Sequence, residues 1–380
     1  MPGLLNHVDP DGLLEYSVVY TDRALNHMSQ RFQRVMQQVS ATLKQVYGAR
    51  SAIVVPGSGS FGMEAVARQF ATGKKVLIVR NGWFSYRWSQ IFEMGAIPAA
   101  ATVLKARRPA AGATAPFSPA PIDEVVATIR KEQPDLVFAP HVETSAGMIL
   151  PDDYLRAVAD AVHAHGGLFV LDCVASGAMW VDMRATGVDI LVSAPQKGWS
   201  STPCAGLVML GDEARARIDA TTSSSFSMDL KKWLSIMETH EQGKNAYHAT
   251  LPTDGLTHLR EAMQETAALG FEPARQAQIG IGQRVRALLE ARGIPSVAAA
   301  GFQAPCVIVS YTARDDFQNT QAFIRQGLQI AAGVPLACDE GADFKTFRIG
   351  LFGLDKLKNP ERTVASFERA LDAALDTPAR

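Results

Sequence analysis

Lys197 stands in SAPQKG, residues 193–198, directly after the β-rich run DILV. A lysine among small residues at a strand end sits where a cleft forms. There its amine can be desolvated, lose its proton easily and condense with a carbonyl as a Schiff base. Asp172 closes GGLFVLD, residues 166–172, a run too apolar for a solvated edge. A carboxylate in that position needs a partner, because an unpaired buried charge is costly. The N–H of a pyridinium ring is one such partner, and the pair lets the ring act as an electron sink. Taken singly, Lys197 reads equally as a surface amine and Asp172 as a helix cap or structural ion pair. Their placement on neighbouring strand ends favours the chemical reading.

A third element is GSGSFG, residues 57–62, between the strand-like AIVV and the helix-like MEAVARQF. A glycine-rich turn opening a helix offers unpaired N–H groups and a positive dipole end to an anion. A dinucleotide fingerprint also asks for an acid about 20 residues on. That neighbourhood reads VLIVRNGW, with Arg80 and no acid, so a nicotinamide-dependent oxidoreductase rests on the glycines alone. The hydroxyls of Ser58 and Ser60 suit a terminal monophosphate better than a bridged pyrophosphate. A plain tight turn would account for the glycines without a ligand.

These residues need a frame, and the middle of the chain provides an alternating one. Strands are expected at Ala52–Val55, Lys75–Arg80, Leu136–Ala139, Leu168–Leu171, Asp189–Ser193 and Gly206–Met209. Helical patterns at Gly62–Ala71, Ile122–Lys131 and Asp153–His165 fall between several of them. This alternation predicts an α/β fold with a mostly parallel sheet covered on both faces. Ligands of such sheets gather at the carboxyl ends of the strands, where the residues above lie. Residues 107–121 read as a surface loop. Beyond residue 255 come helices at Leu256–Ala268, Ile279–Arg292 and Arg362–Leu375, with strands at Cys306–Tyr311 and Phe347–Leu351. The expected division is an N-terminal arm over 1–20, a large domain over 21–255 and a smaller C-terminal α+β domain over 256–380.

Composition narrows the functions. The 37 basic residues are balanced by 38 acidic ones, which leaves neither a nucleic-acid footprint nor a polybasic membrane patch. No apolar run reaches membrane-spanning length, and the start lacks the pattern of a secretory signal. Cys173, Cys204, Cys306 and Cys338 form no C-x-x-C pair, so neither a zinc site nor a disulfide framework is indicated. His163 and His165, two apart on a helical pattern, face different ways and argue against a metal site. A reducing, cytoplasmic setting is the expectation.

The ordered set of motifs from about Ala52 to Phe352 resembles the class-V, fold-type I enzymes that use pyridoxal 5'-phosphate. It is most similar to the alanine–glyoxylate and serine–glyoxylate aminotransferase group. The resemblance implies that PGSGSFGMEA holds the cofactor phosphate through Ser58, Gly59 and Ser60. NGWFSYR is similar to the family's N-G-x-(aromatic)-x-x-R, which makes Phe84 the ring stacked on the cofactor. HVETSAG resembles H-G-E-S-S-T-G and implies Ser145 beside the phenolic edge of the cofactor, with Val142 in place of a glycine; His141 reads as a supporting residue. LDCVAS supplies Asp172, and SAPQKG supplies Gln196 and Lys197. NAYHATLP resembles the Y-H-x-T element, which implies that Tyr247 and Thr250 reach the partner subunit's cofactor in a homodimer. TFRIGLFG resembles R-I-G-L-x-G, which makes Arg348 the residue that holds the substrate carboxylate.

The implied activity is transfer of an amino group from a small amino acid to a small 2-oxo acid such as glyoxylate or pyruvate. Relatives that share these cofactor residues act on 2-aminoethylphosphonate, ureidoglycine or pyridoxamine. Cysteine desulfurases share the fold and use a mobile cysteine before the carboxylate-binding arginine, so Cys338 needs weighing. This chain lacks their histidine beside the lysine. A catalytically silent member would be expected to lose Lys197, Asp172 or Arg348, and all three are present. The opening departs from the family's P-G-P-x-x-V-P. Residues 8–32 keep only an echo of it, and Tyr20, Asp22 and Arg23 read as pocket residues or as an ordinary arm. Trp233 reads as core or interface.

Overall fold

A computed structural model describes residues 7–10 and 12–377. The main sheet has seven strands: β1 (Ser51–Pro56), β2 (Lys75–Arg80), β3 (Ala100–Lys105), β4 (Leu136–Pro140), β7 (Leu168–Asp172), β8 (Ile190–Ser193) and β9 (Ala205–Leu210). The two strands between β4 and β7, β5 (Val142–Glu143) and β6 (Met148–Ile149), form a short hairpin. The spatial order is β1-β9-β8-β7-β4-β2-β3. Pairs from β3 through to β8 are parallel, and β9 runs against both its neighbours.

The central strands LFVLD and ILVS are buried at every position, as expected where helices cover both faces. Each of the six expected strands is present. β3 was not expected. It is an edge strand whose side chains are exposed or half-buried, so it carries no strong apolar signal. Three helices of twelve or more residues were also not anticipated, Gln30–Tyr47, Trp83–Gly95 and Leu230–Glu241, besides several shorter ones. The first begins at Ser29, whose hydroxyl accepts the Phe32 N–H in a regular N-cap. The last buries Trp233 in the main core.

A second, antiparallel sheet follows from β10 (Val307–Tyr311), β11 (Ala331–Ala332) and β12 (Thr346–Gly350), with β12 central. Helices Phe271–Ala291 and Pro360–Asp376 pack with it around Phe317, Phe323, Phe347 and Phe367. Among the described residues no helix is long and apolar enough to cross a membrane.

One close approach fixes the start of helix Gly59–Phe70. A Cβ on Gly206 of β9 would lie 2.7 Å from Gly62 Cα and 2.8 Å from the Ser58 carbonyl oxygen. Both contacts are backbone, so the helix or the strand would have to move. Gly206→Ala is expected to cost about 1–3 kcal/mol, the usual scale of overpacking, in urea unfolding of the protein.

Candidate active site

The carboxyl ends of β1, β2, β4, β7 and β8 face one region, and every main-sheet candidate residue lies on the segments that leave them. Register explains the pairing of Asp172 with the lysine loop. Asp172 is opposite Val192 on one side and Pro140 on the other. It therefore lies one strand from the loop bearing Lys197 and one from the segment leading into the β5–β6 hairpin.

Lys197 is half-buried in a tight turn in which the Ser200 N–H bonds to the Lys197 carbonyl at 3.0 Å. Ser200 Oγ in turn accepts the Leu354 N–H at 2.8 Å, tying the turn to the segment after β12. The Lys197 amine points between two rings, 5.6 Å from the centroid of Phe84 and 5.8 Å from that of Phe352. Burial lowers its pKa from the ordinary lysine range, and the charges of Asp172, Cys306 and Glu143 oppose that shift. The amine is thus easier to deprotonate than a surface lysine.

Asp172 is buried, and burial raises its pKa to about 6. The Val174 N–H, donated to Oδ1 at 2.9 Å, and the nearby Lys197 charge pull the other way without cancelling the effect. Behind it, His141 donates its backbone N–H to the Asp172 carbonyl at 2.8 Å, and its Nδ1 lies 2.7 Å from Ser176 Oγ. Burial holds the His141 imidazole neutral, with a pKa of about 3.

The ring of Phe84 is at the centre of the cations. Besides Lys197, the guanidinium carbons of Arg87 and Arg348 lie 5.3 Å and 5.6 Å from its centroid. Arg348 reaches it from the central strand of the second sheet, steadied by an Nε bond to the Ala332 carbonyl at 2.8 Å. Burial lowers the pKa of Arg348, with Glu143 opposing. Phe84 itself is placed by a buried carboxylate. Glu143 accepts the N–H groups of Phe84 and Ser85, at 3.2 and 2.8 Å, and so stoppers the start of helix Trp83–Gly95.

Ser145 is fully buried in the same network. Its hydroxyl donates to Glu143 at 2.7 Å and accepts the Trp83 N–H at 2.9 Å. The structure thus places Ser145 beneath the helix start, with its hydroxyl already engaged. Helix Gly59–Phe70 begins differently. Its N-cap Ser58 makes no side-chain cap, and Gly57 turns the chain at φ 126°, a conformation that favours glycine. The N–H groups of Gly59 and Ser60 belong to a first turn that has no intrahelical acceptor for them.

Gln196 is exposed beside the lysine. Tyr247 and Thr250 are also exposed on this chain and are joined by a 3.3 Å hydroxyl contact. Tyr20 donates to the Leu251 carbonyl and packs on His27, while Asp22 and Arg23 form a surface pair at 4.0 Å. None of these three contacts the cluster around Phe84. Arg87, Glu143 and Phe352 were not assigned from sequence. The spacing of NGWFSYR could have pointed to Arg87. Phe352 gains its place only when the two sheets meet.

The cysteine alternative does not survive the geometry. Cys338 is buried, its thiol donates to the Arg80 carbonyl at 3.4 Å, and burial pushes its pKa up to about 12. Burial disfavours the thiolate form that such chemistry needs. His163 pairs with Asp189 and His165 bonds to the Pro134 carbonyl, so the two do not converge. Among the described residues no group of three His, Cys, Asp or Glu side chains is placed to hold a metal ion.

The donor set suits a phosphorylated pyridine aldehyde. It combines an easily deprotonated amine, a buried acid that lacks a cationic hydrogen-bond partner, a flat ring and an uncapped helix start. Comparisons with known proteins agree. The chain is 29% identical over 351 residues to a 2-aminoethylphosphonate–pyruvate transaminase of Paraburkholderia phymatum, covering 90% of this chain and 88% of that one. It is 26% identical over 361 residues to an alanine–glyoxylate aminotransferase of Oryctolagus cuniculus, covering 91% and 86%. Its fold matches the crystal structure of an alanine–glyoxylate aminotransferase from Nostoc sp. with a TM-score of 0.75 at 21% identity, over 91% and 88% of the two chains. The model of the family described as aminotransferase class-V matches residues 13–351. The chain belongs to the class-V aminotransferases, a family whose cofactor is pyridoxal phosphate.

Proposed function

We propose that the chain moves an amino group from a small amino acid to glyoxylate or pyruvate, with Lys197 as the covalent anchor of the cofactor. The observation that carries this reading is the meeting of Lys197 and Arg348 over one ring, Phe84, with buried Asp172 alongside. Pyridoxal phosphate, when bound, supplies an aldehyde that condenses with amines and a ring that withdraws electrons from the bond being broken. Ser58, Gly59 and Ser60 would hold its phosphate, Phe84 its ring face, Asp172 its ring nitrogen, and Gln196 and Ser145 its surroundings.

The protein's own residues then do three things. Arg348 orients the amino acid through its carboxylate, a fork geometry that a lysine cannot reproduce. Lys197 Nζ accepts the proton from the substrate α-carbon and holds it for return. Phe84 and Phe352 keep water from that nitrogen and so favour its unprotonated form, which can accept the proton. Arg348→Lys is expected to raise KM for the amino acid by about 10–100-fold, the scale of losing a charge-assisted bidentate contact, with a smaller change in kcat. Steady-state kinetics with alanine as donor and glyoxylate as acceptor measures it.

The exposed Tyr247 and Thr250 support a homodimer in which they reach the partner subunit's cofactor phosphate. The four cysteines are all free and buried, which supports a reducing, cytoplasmic setting. A spectral screen of amino donors against the cofactor-loaded protein tests the activity. Conversion by alanine, serine or 2-aminoethylphosphonate identifies the donor, and a protein that takes up no pyridoxal phosphate would sink the proposal.

A further inference from the structure

Arg87 is the charged side chain of the cluster to which the roles above give no task. It lies three residues past Phe84 on helix Trp83–Gly95, a spacing that puts both side chains on one face. Its Nη1 donates to Ser60 Oγ at 3.0 Å, on the glycine-rich turn. Among the described residues no carboxylate lies within ion-pair distance of it, whereas Arg284, Arg292 and Arg314 are paired with Glu361, Asp372 and Asp316. Buried Asp172 feels the Arg87 charge only from beyond that distance, so the half-buried guanidinium is left without a direct ion pair, which an anionic ligand would supply.

The turn has the complementary need. A phosphate monoester carries about −1.5 to −2 charges near neutral pH. The N–H groups of Gly59 and Ser60 and the serine hydroxyls can bond its oxygens, but they bring no formal charge. Lys197 must give up its own charge to react, and Arg348 is held by the second sheet at Ala332. Arg87 is therefore the permanent cation bonded to the turn.

We propose that Arg87, seated against Ser60, is the cationic anchor for a phosphoryl dianion at the start of helix Gly59–Phe70, and that this dianion is the 5'-phosphate of the cofactor. The proposal rests on the pyridoxal-phosphate reading above. A phosphonate amino donor carries the same chemistry, so the test separates the two sources.

Cofactor-free wild type, Arg87→Met and Arg87→Lys are titrated with pyridoxal phosphate and with pyridoxal, followed by quenching of tryptophan fluorescence. Arg87→Met is expected to raise Kd for pyridoxal phosphate by about 10–100-fold, the scale of a lost hydrogen bond between charged groups. Arg87→Lys restores much of the affinity, and pyridoxal binding stays within about twofold of wild type because it lacks the phosphate. Equal losses for both ligands, or no loss for either, overturn the proposal. In a second arm, KM for 2-aminoethylphosphonate and for alanine is measured at saturating cofactor. A rise confined to the phosphonate, with unchanged cofactor Kd, assigns Arg87 to the substrate and overturns the cofactor assignment. Failure of wild type itself to bind pyridoxal phosphate is a separate result that removes the underlying reading as well.

Discussion

Lys197→Ala is expected to abolish the borohydride-stable link between protein and cofactor and to slow transamination by about 10³–10⁴-fold, the upper range for loss of a positioned acid–base group. The cause is local. The amine lies 5.6 Å and 5.8 Å from the centroids of the two aromatic rings, and burial has already lowered its proton affinity. No second lysine or imidazole is placed against Phe84 to take over among the described residues, and a guanidinium is a poor proton acceptor. Mass spectrometry of the borohydride-treated protein should find the cofactor on the peptide containing residue 197 in wild type and nowhere in the variant. A variant with full turnover would refute the assignment. Binding without covalent attachment is compatible with it, since the phosphate turn and Asp172 are untouched.

The second large effect is expected at Asp172, with opposite signs in the two states of the protein. In the cofactor-free protein its pKa stands at about 6 against an ordinary value of 3.8. The folded state therefore binds the proton more tightly than the unfolded chain. Stability from this group is full below about pH 4, falls as the pH rises toward 6 and stays low above that. A shift of this size corresponds to at most on the order of 2–3 kcal/mol. Asp172→Asn removes the ionisation, so the cofactor-free variant should melt above wild type at pH 7.5 and close to it near pH 4. In turnover the order reverses. An amide cannot keep the ring nitrogen protonated, and kcat is expected to fall by about 10²–10³-fold, as when one electrostatic partner of developing charge is removed. Thermal melts of the cofactor-free proteins at the two pH values, beside kcat of the loaded ones, check both halves. A stabilised variant with undiminished kcat would leave Asp172 as a strained structural acid.

How far these residues could be read in advance depended on how local their signals are. Lys197, Asp172 and the turn at 57–62 announce themselves because a reactive side chain follows an apolar run, and strand ends are where a parallel sheet exposes its edge. The strands themselves were legible for the same reason: doubly covered strands are continuous apolar runs. β3 escaped because its faces are partly solvated, and helix Trp83–Gly95 because its buried stripe alternates Trp88 and Phe92 with the polar Ser85 and Ser89. Phe352 depends on tertiary approach and was not legible. It comes from a different sheet than Lys197 does, and the Ser200–Leu354 hydrogen bond is one of several contacts that bring the two together. Glu143 lay within a quoted motif, yet nothing in its spelling says that the carboxylate turns inward to the backbone of a helix far earlier in the chain.

That inward turn gives the cleft an electrical compass. Two helices begin beside it, and Glu143 cancels the positive end of one while the other is left bare. A ligand with a negative tail and a neutral head can then lower its energy in one orientation only, tail toward residues 59 and 60. Removing the plug with a Glu143→Gln change would make the two ends more alike, and a cofactor analogue could then settle in the cleft backwards.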